Sequence, residues 1–428
     1  MASSKFRVIE HHIPCQSIRE YHRAVKPDSP DLQLAVKQYI PLGNSTASDG
    51  DEITIIAGHA NGIPKECYEP LWENLLALTS VKIKAIWIAD CSHQGASGVL
   101  NEHVLGDDPN WFDHSRDLLF MVNHFRDLIK PPVVGIAHSF SCSQFVHLSM
   151  MHPRLFQTLV FVEPMIQVES PSKPGGPSPA LWTSSRPELW PSLQDAEKYI
   201  RGSAFWRTWD PKAVDRYIQF GLRSVPTALY PNSSSGAVTL ATTKAQEAWT
   251  YLRLNTAPRD DSSGNHGERF LTADLAPIPK DGHNNSPDYV TVCPWSCIAF
   301  EYLLYMRPSV LFIFGEKSHI NTPQRRADKL ERTGKGLGGN GGVAGGRVMT
   351  EILTGASHMA PLEKVHDTAR IISTCLASQI ELYQTEKVFW DRKYNSQKSE
   401  RNQMALSAQW MKYVKQPVDT KRTRTSTL

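Results

Sequence analysis

The sequence predicts an α/β protein with a mostly parallel central sheet, helices on both of its faces and one large helical insertion. Three observations carry that expectation. Short apolar, β-branched runs alternate with helical stretches through the first 163 residues; the rhythm breaks after Glu163; and strands of the same character return after Pro308. A length of 428 residues suits one large domain or two medium ones.

Taken in order, residues 32–40 alternate apolar and polar side chains like a half-buried strand. Residues 53–57, 81–89, 133–136 and 158–162 are short and mostly apolar, as strands covered on both faces are. Helical stretches at 68–78, 113–129 and 141–151 lie between them, which implies right-handed β-α-β crossovers. From about 164 to 308 the chain is rich in Pro, Ser and Trp, with helical pieces at 193–200 and 211–222. Strands return at 310–314 and 348–353, and a long helix runs from Leu362 to about Trp390. The expected division is a core of residues 1–163 and 301–395, an insertion at 164–300 and a polar, basic tail at 396–428. The glycine run from Gly334 to Gly345 lacks the Gly-Lys-Ser/Thr ending of a phosphate-binding loop, so a flexible surface loop is expected there.

Composition excludes several classes of function. With 21% charged and 40% apolar residues the balance is that of a soluble globular protein. Forty-six Lys+Arg against 43 Asp+Glu leave a net charge of +3, too small and scattered to indicate nucleic acid. No apolar run approaches the ~20 residues of a membrane helix. The opening residues, Met1 to His12, lack the apolar core of a secretory signal, so the Asn-x-Ser/Thr matches at Asn44, Asn232 and Asn284 are read as chance. Seven scattered cysteines are expected to be free thiols of a reducing compartment. Cys293 and Cys297 have no second pair near them in sequence, which argues against zinc; no metal and no cofactor are expected.

The chemistry is concentrated at residues 133–141, where a buried strand runs into a tight turn carrying Ser139 and a helix follows. That is the setting of a nucleophile elbow, whose strained turn lifts a hydroxyl above the sheet. The usual Gly-x-Ser-x-Gly spacing reflects crowding two residues either side; here Ala137 and Ser141 hold those places. The plainer alternative is a strand-to-helix turn capped by serine. An elbow serine needs a base, and of 16 histidines only His358 sits in the loop after the last strand. For the acid, the slot after the 310–314 strand carries Ser318 where aspartate is usual. Glu163, ending the 158–162 strand, is preferred, and Glu316 is the alternative. Oxyanion donors are expected from the Phe140 amide and from the turn Gly58-His59-Ala60-Asn61-Gly62, with Ala60 first, Asn61 second and His59 bracing the loop. Trp182, Trp190, Phe205, Trp206 and Trp209 are candidates for an apolar acyl pocket, with Trp182, Trp206 and Trp209 named as substrate-binding. Packing of the insertion onto the core is expected to occupy roughly three of the five. Asp107 and Asp108 are expected to cap or brace the helix that starts near Asp113.

Five stretches then carry a resemblance: HANGIPKECYEPLW at 59–72, HQGASGVLNEHVLGDDPNWFDHSRDLL at 93–119, AHSFS at 137–141, Val162-Glu163-Pro164, and GASHMAPLE at 355–363. The sequence resembles the α/β-hydrolase superfamily. Within it, the chain is similar to the fungal secondary-metabolite hydrolases typified by a peroxisomal acyl-CoA hydrolase of mycophenolic acid biosynthesis and by host-selective-toxin hydrolases. The resemblance spans nearly the whole chain apart from the tail. It implies an α/β-hydrolase fold with a lid over Ser139 and a triad acid after the strand that follows the elbow, aspartate in the mycophenolic member and Glu163 here. It further implies cleavage of a small-molecule acyl thioester or ester through an acyl-enzyme. The second reading is a non-hydrolytic protein of the same fold that binds a biosynthetic intermediate or assists its cyclisation. Epoxide or haloalkane hydrolysis would require aspartate in place of Ser139. A homodimer is left open. Ser426-Thr427-Leu428 matches the peroxisomal Ser-Lys-Leu address at two of three positions, with Lys421, Arg422 and Arg424 just upstream. Peroxisomal residence is therefore expected, with the cytoplasm as the alternative.

Overall fold

Strands that are apolar on both faces need a layer of helices on each side, and this chain supplies both. The computed structural model describes residues 5–42, 52–170, 178–254, 290–394 and 399–415. The Ser426-Thr427-Leu428 tripeptide, its upstream cations, Asn44 and Asn284 lie outside the described residues. In chain order the first half reads β1 (Phe6–Pro14), β2 (Gln33–Pro41), β3 (Glu52–Gly58), α1 (Glu69–Leu78), β4 (Lys82–Ala89), α2 (Gly95–Leu100), α3 (Trp111–His124), β5 (Val133–His138), α4 (Phe140–Met151) and β6 (Thr158–Val162). The segment after β6 forms α5 (Pro179–Ser185), β7 (Leu189–Trp190), α6 (Leu193–Gly202), α7 (Pro211–Phe220), β8 (Leu222–Ser224), β9 (Val238–Leu240), α8 (Lys244–Trp249), β10 (Leu252–Leu254), β11 (Val290–Val292) and α9 (Trp295–Tyr302). The main sheet then resumes with β12 (Ser309–Gly315), α10 (Pro323–Arg332), β13 (Val348–Leu353), α11 (Ala360–Glu363) and α12 (Val365–Tyr394).

The eight-stranded sheet has the order β1-β2-β4-β3-β5-β6-β12-β13. Only β1–β2 and β2–β4 pair antiparallel; the other five neighbouring pairs are parallel. Alternation of side chains sends Ile55, Ile136, Val160 and Ile313 to one face, against Leu71 and Trp72 of α1 and Ile372 of α12. It sends Ile56, Trp87, Leu159 and Phe312 to the other, against Leu118 of α3, Phe145 of α4 and Trp295 of α9. The double burial is why these strands read as unbroken apolar runs.

Three features differ from the sequence expectation. β1 was not foreseen, because its edge position leaves Arg7, Glu10 and Pro14 in or near water and removes the apolar signal. The inserted segment is not purely helical: β7, β9 and β8 make a three-stranded antiparallel sheet, and β10 pairs with β11. The glycine run is pinned to the core, with Gly334, Gly336 and Asn340 amides donating to the carbonyls of Leu303, Leu304 and Met306 at 2.8, 2.7 and 2.8 Å.

The chain divides into two compact units, Met1–Ile380 and Glu381–Leu428. The second holds the end of α12, then α13 (Glu400–Met404) and α14 (Ala408–Val414), with Trp410, Tyr413 and Val414 exposed. Among the described residues no helix is long and apolar enough to cross a membrane.

One close approach sets the height of the elbow. A Cβ on Gly58, at the end of β3, would lie 2.7 Å from the Ser141 Cβ and 2.9 Å from the Phe145 ring, so α4 packs directly on bare backbone. This gap is what allows Ser141 to stand where glycine is usual, and its hydroxyl donates to the His59 carbonyl. Gly58→Ala is expected to cost about 1–3 kcal/mol through overpacking, read as a lowered urea midpoint. An unchanged midpoint would show that the contact is slack.

Candidate active site

The described site is built where the strands β3, β5, β6 and β13 end, at the carboxyl edge of the parallel sheet, the usual place for ligands in such sheets. Ser139 follows β5 with φ 62°, a left-handed conformation that a non-glycine residue holds only when its surroundings enforce it. Here Ser139 N donates to Val162 O at 3.1 Å, while its own carbonyl receives Cys142 N and Met165 N at 3.1 and 3.0 Å. Glu163, at the same edge of β6, is likewise left-handed at φ 50°, with its amide on Ile313 O at 2.8 Å.

Three of the sequence-predicted residues meet in one line of hydrogen bonds. Ser139 Oγ lies 2.9 Å from His358 Nε2, and His358 Nδ1 lies 3.0 Å from Glu163 Oε2. Glu163 is fully buried, and burial alone would raise its pKa. The hydrogen bond and charge of His358, the Ser318 hydroxyl and the Gly315 amide outweigh burial and hold the carboxyl below its ordinary value. Gly315 N donates to Oε1 at 2.6 Å, Ser318 Oγ to Oε2 at 2.6 Å and Asn321 Nδ2 to Oε2 at 3.0 Å. The serine in the slot usually given to aspartate thus serves the carboxylate that comes from the neighbouring strand. Glu316 does not join this line; its Oε2 accepts the Gly355 amide at 2.7 Å.

The oxyanion assignment changes. The Ala60 amide, the first choice, donates to Tyr68 Oη at 2.8 Å and is not available to a substrate. The Asn61 amide, the second choice, has no acceptor among the described residues, and neither has the Phe140 amide that opens α4. Tyr68 then donates its own proton to His138 Nδ1 at 2.6 Å, which leaves the proton of His138 on Nε2, facing the His358 carbonyl at 2.9 Å. Burial and the nearby His358 lower the His138 pKa to about 3, so this link stays neutral. Tyr68 and His138 were missed by sequence reasoning, since nothing in the spacing marks a tie between the two loops. His59 does brace its loop, through Nδ1 to Ala60 O at 2.9 Å and Nε2 to Cys91 N at 3.0 Å.

A cavity of about 470 Å³ opens on Ser139 and His358. Trp182, Trp190, Phe205 and Trp206 line it, so four of the five candidate aromatics face the cavity and not the two implied by the packing expectation. Trp209 does not line it; the ring packs edge-on against Trp206 at 4.6 Å and Tyr217 at 6.3 Å. Asp107 and Asp108 do not cap α3. Asn110 does, accepting Phe112 N at 2.7 Å, while Asp107 pairs with Arg23 and Asp108 takes both forks of Arg253 at 2.8 and 2.7 Å.

No protein-family model matches the chain. The type I acyl-CoA thioesterase mpaH of Penicillium roqueforti (strain FM164) is 35% identical over 434 residues, covering 97% of this chain and 96% of that protein. The abhydrolase domain-containing protein AFT2-1 of Alternaria alternata is 26% identical over 294 residues, covering 67% of this chain and 98% of its own length. Among solved structures, the peroxisomal α/β-hydrolase Lpx1 (Yor084w) of Saccharomyces cerevisiae superposes with a TM-score of 0.65 at 17% identity, over 95% of this chain and 100% of that one. The fold is therefore the α/β-hydrolase fold, and the chain is a hydrolase that belongs to the α/β-hydrolase family containing the Penicillium acyl-CoA thioesterases.

Proposed function

We propose that the protein cleaves acyl thioesters, acyl-CoA in the first place, by a Ser139-His358-Glu163 triad acting through an acyl-enzyme. The observation that carries this reading is the unbroken line from Ser139 Oγ to His358 to the buried Glu163 carboxylate, opening into an apolar cavity. Glu163, held ionised, keeps the imidazole proton on Nδ1, so Nε2 is free to take the Ser139 proton as Oγ attacks the carbonyl carbon. The oxygen of the tetrahedral intermediate takes the Phe140 and Asn61 amides. Its collapse breaks the C–S bond, and His358 returns the proton to the leaving thiolate. Water, deprotonated by the same nitrogen, then releases the acid and restores Ser139. The segment between β6 and β12 acts as the lid, with Trp182 and Trp206 against the acyl chain. The name of the Penicillium relative supports the thioester over a plain ester.

Service in secondary metabolism, mycotoxin formation included, and residence in the peroxisome belong to the same proposal. The placement is supported by the sequence of Ser426-Thr427-Leu428 and by the yeast neighbour, a peroxisomal protein, and the metabolic role by the resemblance to fungal secondary-metabolite hydrolases. A fluorescent protein fused at the N-terminus is expected to give puncta that vanish when the last three residues are deleted. Diffuse fluorescence from the intact tail would contradict the placement.

Steady-state hydrolysis of a panel of acyl-CoAs tests the triad. Ser139→Ala is expected to lose on the order of 10⁴–10⁶ in kcat while the circular dichroism spectrum is kept. Glu163→Gln keeps the shape but favours the wrong imidazole tautomer, and a loss on the order of 10²–10⁴ is expected. Glu316→Gln is expected to do far less, because its carboxylate serves a backbone amide. Retention of more than about a tenth of kcat in Ser139→Ala, where such losses are normally thousandfold or more, would remove Ser139 as the nucleophile. The reverse order for the two glutamates would move the acid.

A further inference from the structure

The cavity that holds Ser139 is walled mainly by aromatic and aliphatic side chains, yet one part of its wall carries a buried ion pair. Arg186, which follows α5, binds Glu247 of α8 through Nη2 and Oε2. Thr183 Oγ1 donates to the other carboxylate oxygen at 2.7 Å. Both charged residues line the cavity; Glu247 is 4% exposed, whereas the Arg186 side chain retains 26%. Burial works against the Arg186 charge, and Glu247 more than restores it. Tyr251 lines the same cavity, and burial raises its phenol, which is therefore a donor at neutral pH.

A buried ion pair is rarely more stabilising than apolar residues of the same volume, so its place in an acyl cavity calls for a reason. Part of the reason is a brace. The Glu247 carbonyl accepts Asn61 Nδ2 at 3.1 Å, and its carboxylate lies over Gly62, where a Cβ would meet Oε2 at 2.2 Å. Bracing needs Glu247 but leaves unexplained why a guanidinium with five N–H donors also faces the cavity.

We propose that Arg186, Glu247 and Tyr251 form a polar subsite for an uncharged oxygen function on the acyl group, a hydroxyl, carbonyl or ether. The proposal rests on the acyl-transfer reading above and deepens it by naming the substrate class. Charge decides that class. Arg186 and Glu247 cancel, so a neutral group finds partners, whereas a carboxylate would bring an uncompensated charge into the cavity. A plain alkyl chain would cover the guanidinium and leave the N–H groups that do not face Glu247 with neither water nor partner. Sites built to hydrogen-bond a substrate oxygen reject analogues that lack it far more strongly than apolar pockets reject a missing methylene.

The test is a tryptophan-fluorescence titration of the full-length Ser139→Ala protein, since Trp182, Trp190 and Trp206 line the cavity. The ligands are dodecanoyl-CoA, its monohydroxylated positional isomers and its ω-carboxy derivative. The best hydroxylated isomer is expected to bind about 10- to 100-fold more tightly than dodecanoyl-CoA, and the ω-carboxy derivative no more tightly than dodecanoyl-CoA. Arg186→Met is expected to shrink the hydroxyl preference by about tenfold or more; Arg186→Lys, which keeps the charge and loses the fork, is expected to shrink it in part. Dodecanoyl-CoA binding as tightly as every isomer would overturn the subsite without any further variant. Equal weakening of both ligands by Arg186→Met would overturn it too and leave the pair as a brace. Binding is read without turnover, so failure of the acyl-transfer reading would appear separately, as wild-type protein that binds these thioesters and cleaves none.

Discussion

A carboxylate fully out of water neutralises itself unless donors hold its charge, and the site depends on how Glu163 avoids that outcome. Four groups surround it: the His358 ring, the Gly315 amide, the Ser318 hydroxyl and the Asn321 amide. Two of them come from the turn after β12, so the strand order that sets β6 beside β12 also sets the charge. In the proposed reaction the ionised carboxylate fixes the His358 tautomer, and the tautomer decides whether Ser139 has a base. Glu163 and Ser139 both occupy left-handed backbone, a strain of order 1–3 kcal/mol apiece that the packed sheet edge sustains.

The other half of the site is positioned by ties between loops. Tyr68 links the Ala60 amide to His138, and His138 links onward to the His358 carbonyl, so the loop after β3 and the loop after β13 share one neutral chain. The Asn61 side chain is held between the Glu247 carbonyl and Gln94 Nε2, the latter at 2.6 Å, while Gly62 N rests on Gln94 Oε1 at 2.8 Å. The inserted segment therefore does more than cover the cavity. Through Glu247 it holds the side chain of Asn61, the residue proposed to give its amide to the oxyanion.

Much of this was legible before any coordinates. The central strands announce themselves because burial on both faces removes polar residues from them, and β5 running into a tight turn at Ser139 suggests an elbow, with a serine-capped turn as the alternative. His358 was legible from its position after the last strand, and Glu163 from the oddity of a carboxylate ending a buried strand. What stayed hidden depends on partners distant in sequence. Ala60 and Asn61 look equivalent until Tyr68 takes one of the two amides. Trp209 and Trp206 look equivalent until the fold turns one toward the cavity and packs the other behind it. Ser318 was visible as a missing aspartate, yet its use as a donor to Glu163 requires knowing that β6 and β12 are neighbours. β1 was hidden because an edge strand needs no apolar pattern on its open side.

The central claim is that His358, oriented by Glu163, activates Ser139. The most direct measurement is the site and rate of covalent labelling by a fluorophosphonate, read by intact mass and peptide mapping. The account predicts one adduct, on Ser139, formed much more slowly when Glu163 is replaced by Gln. An adduct elsewhere, no adduct, or labelling of Ser139 at the same rate with and without the Glu163 carboxylate would contradict it.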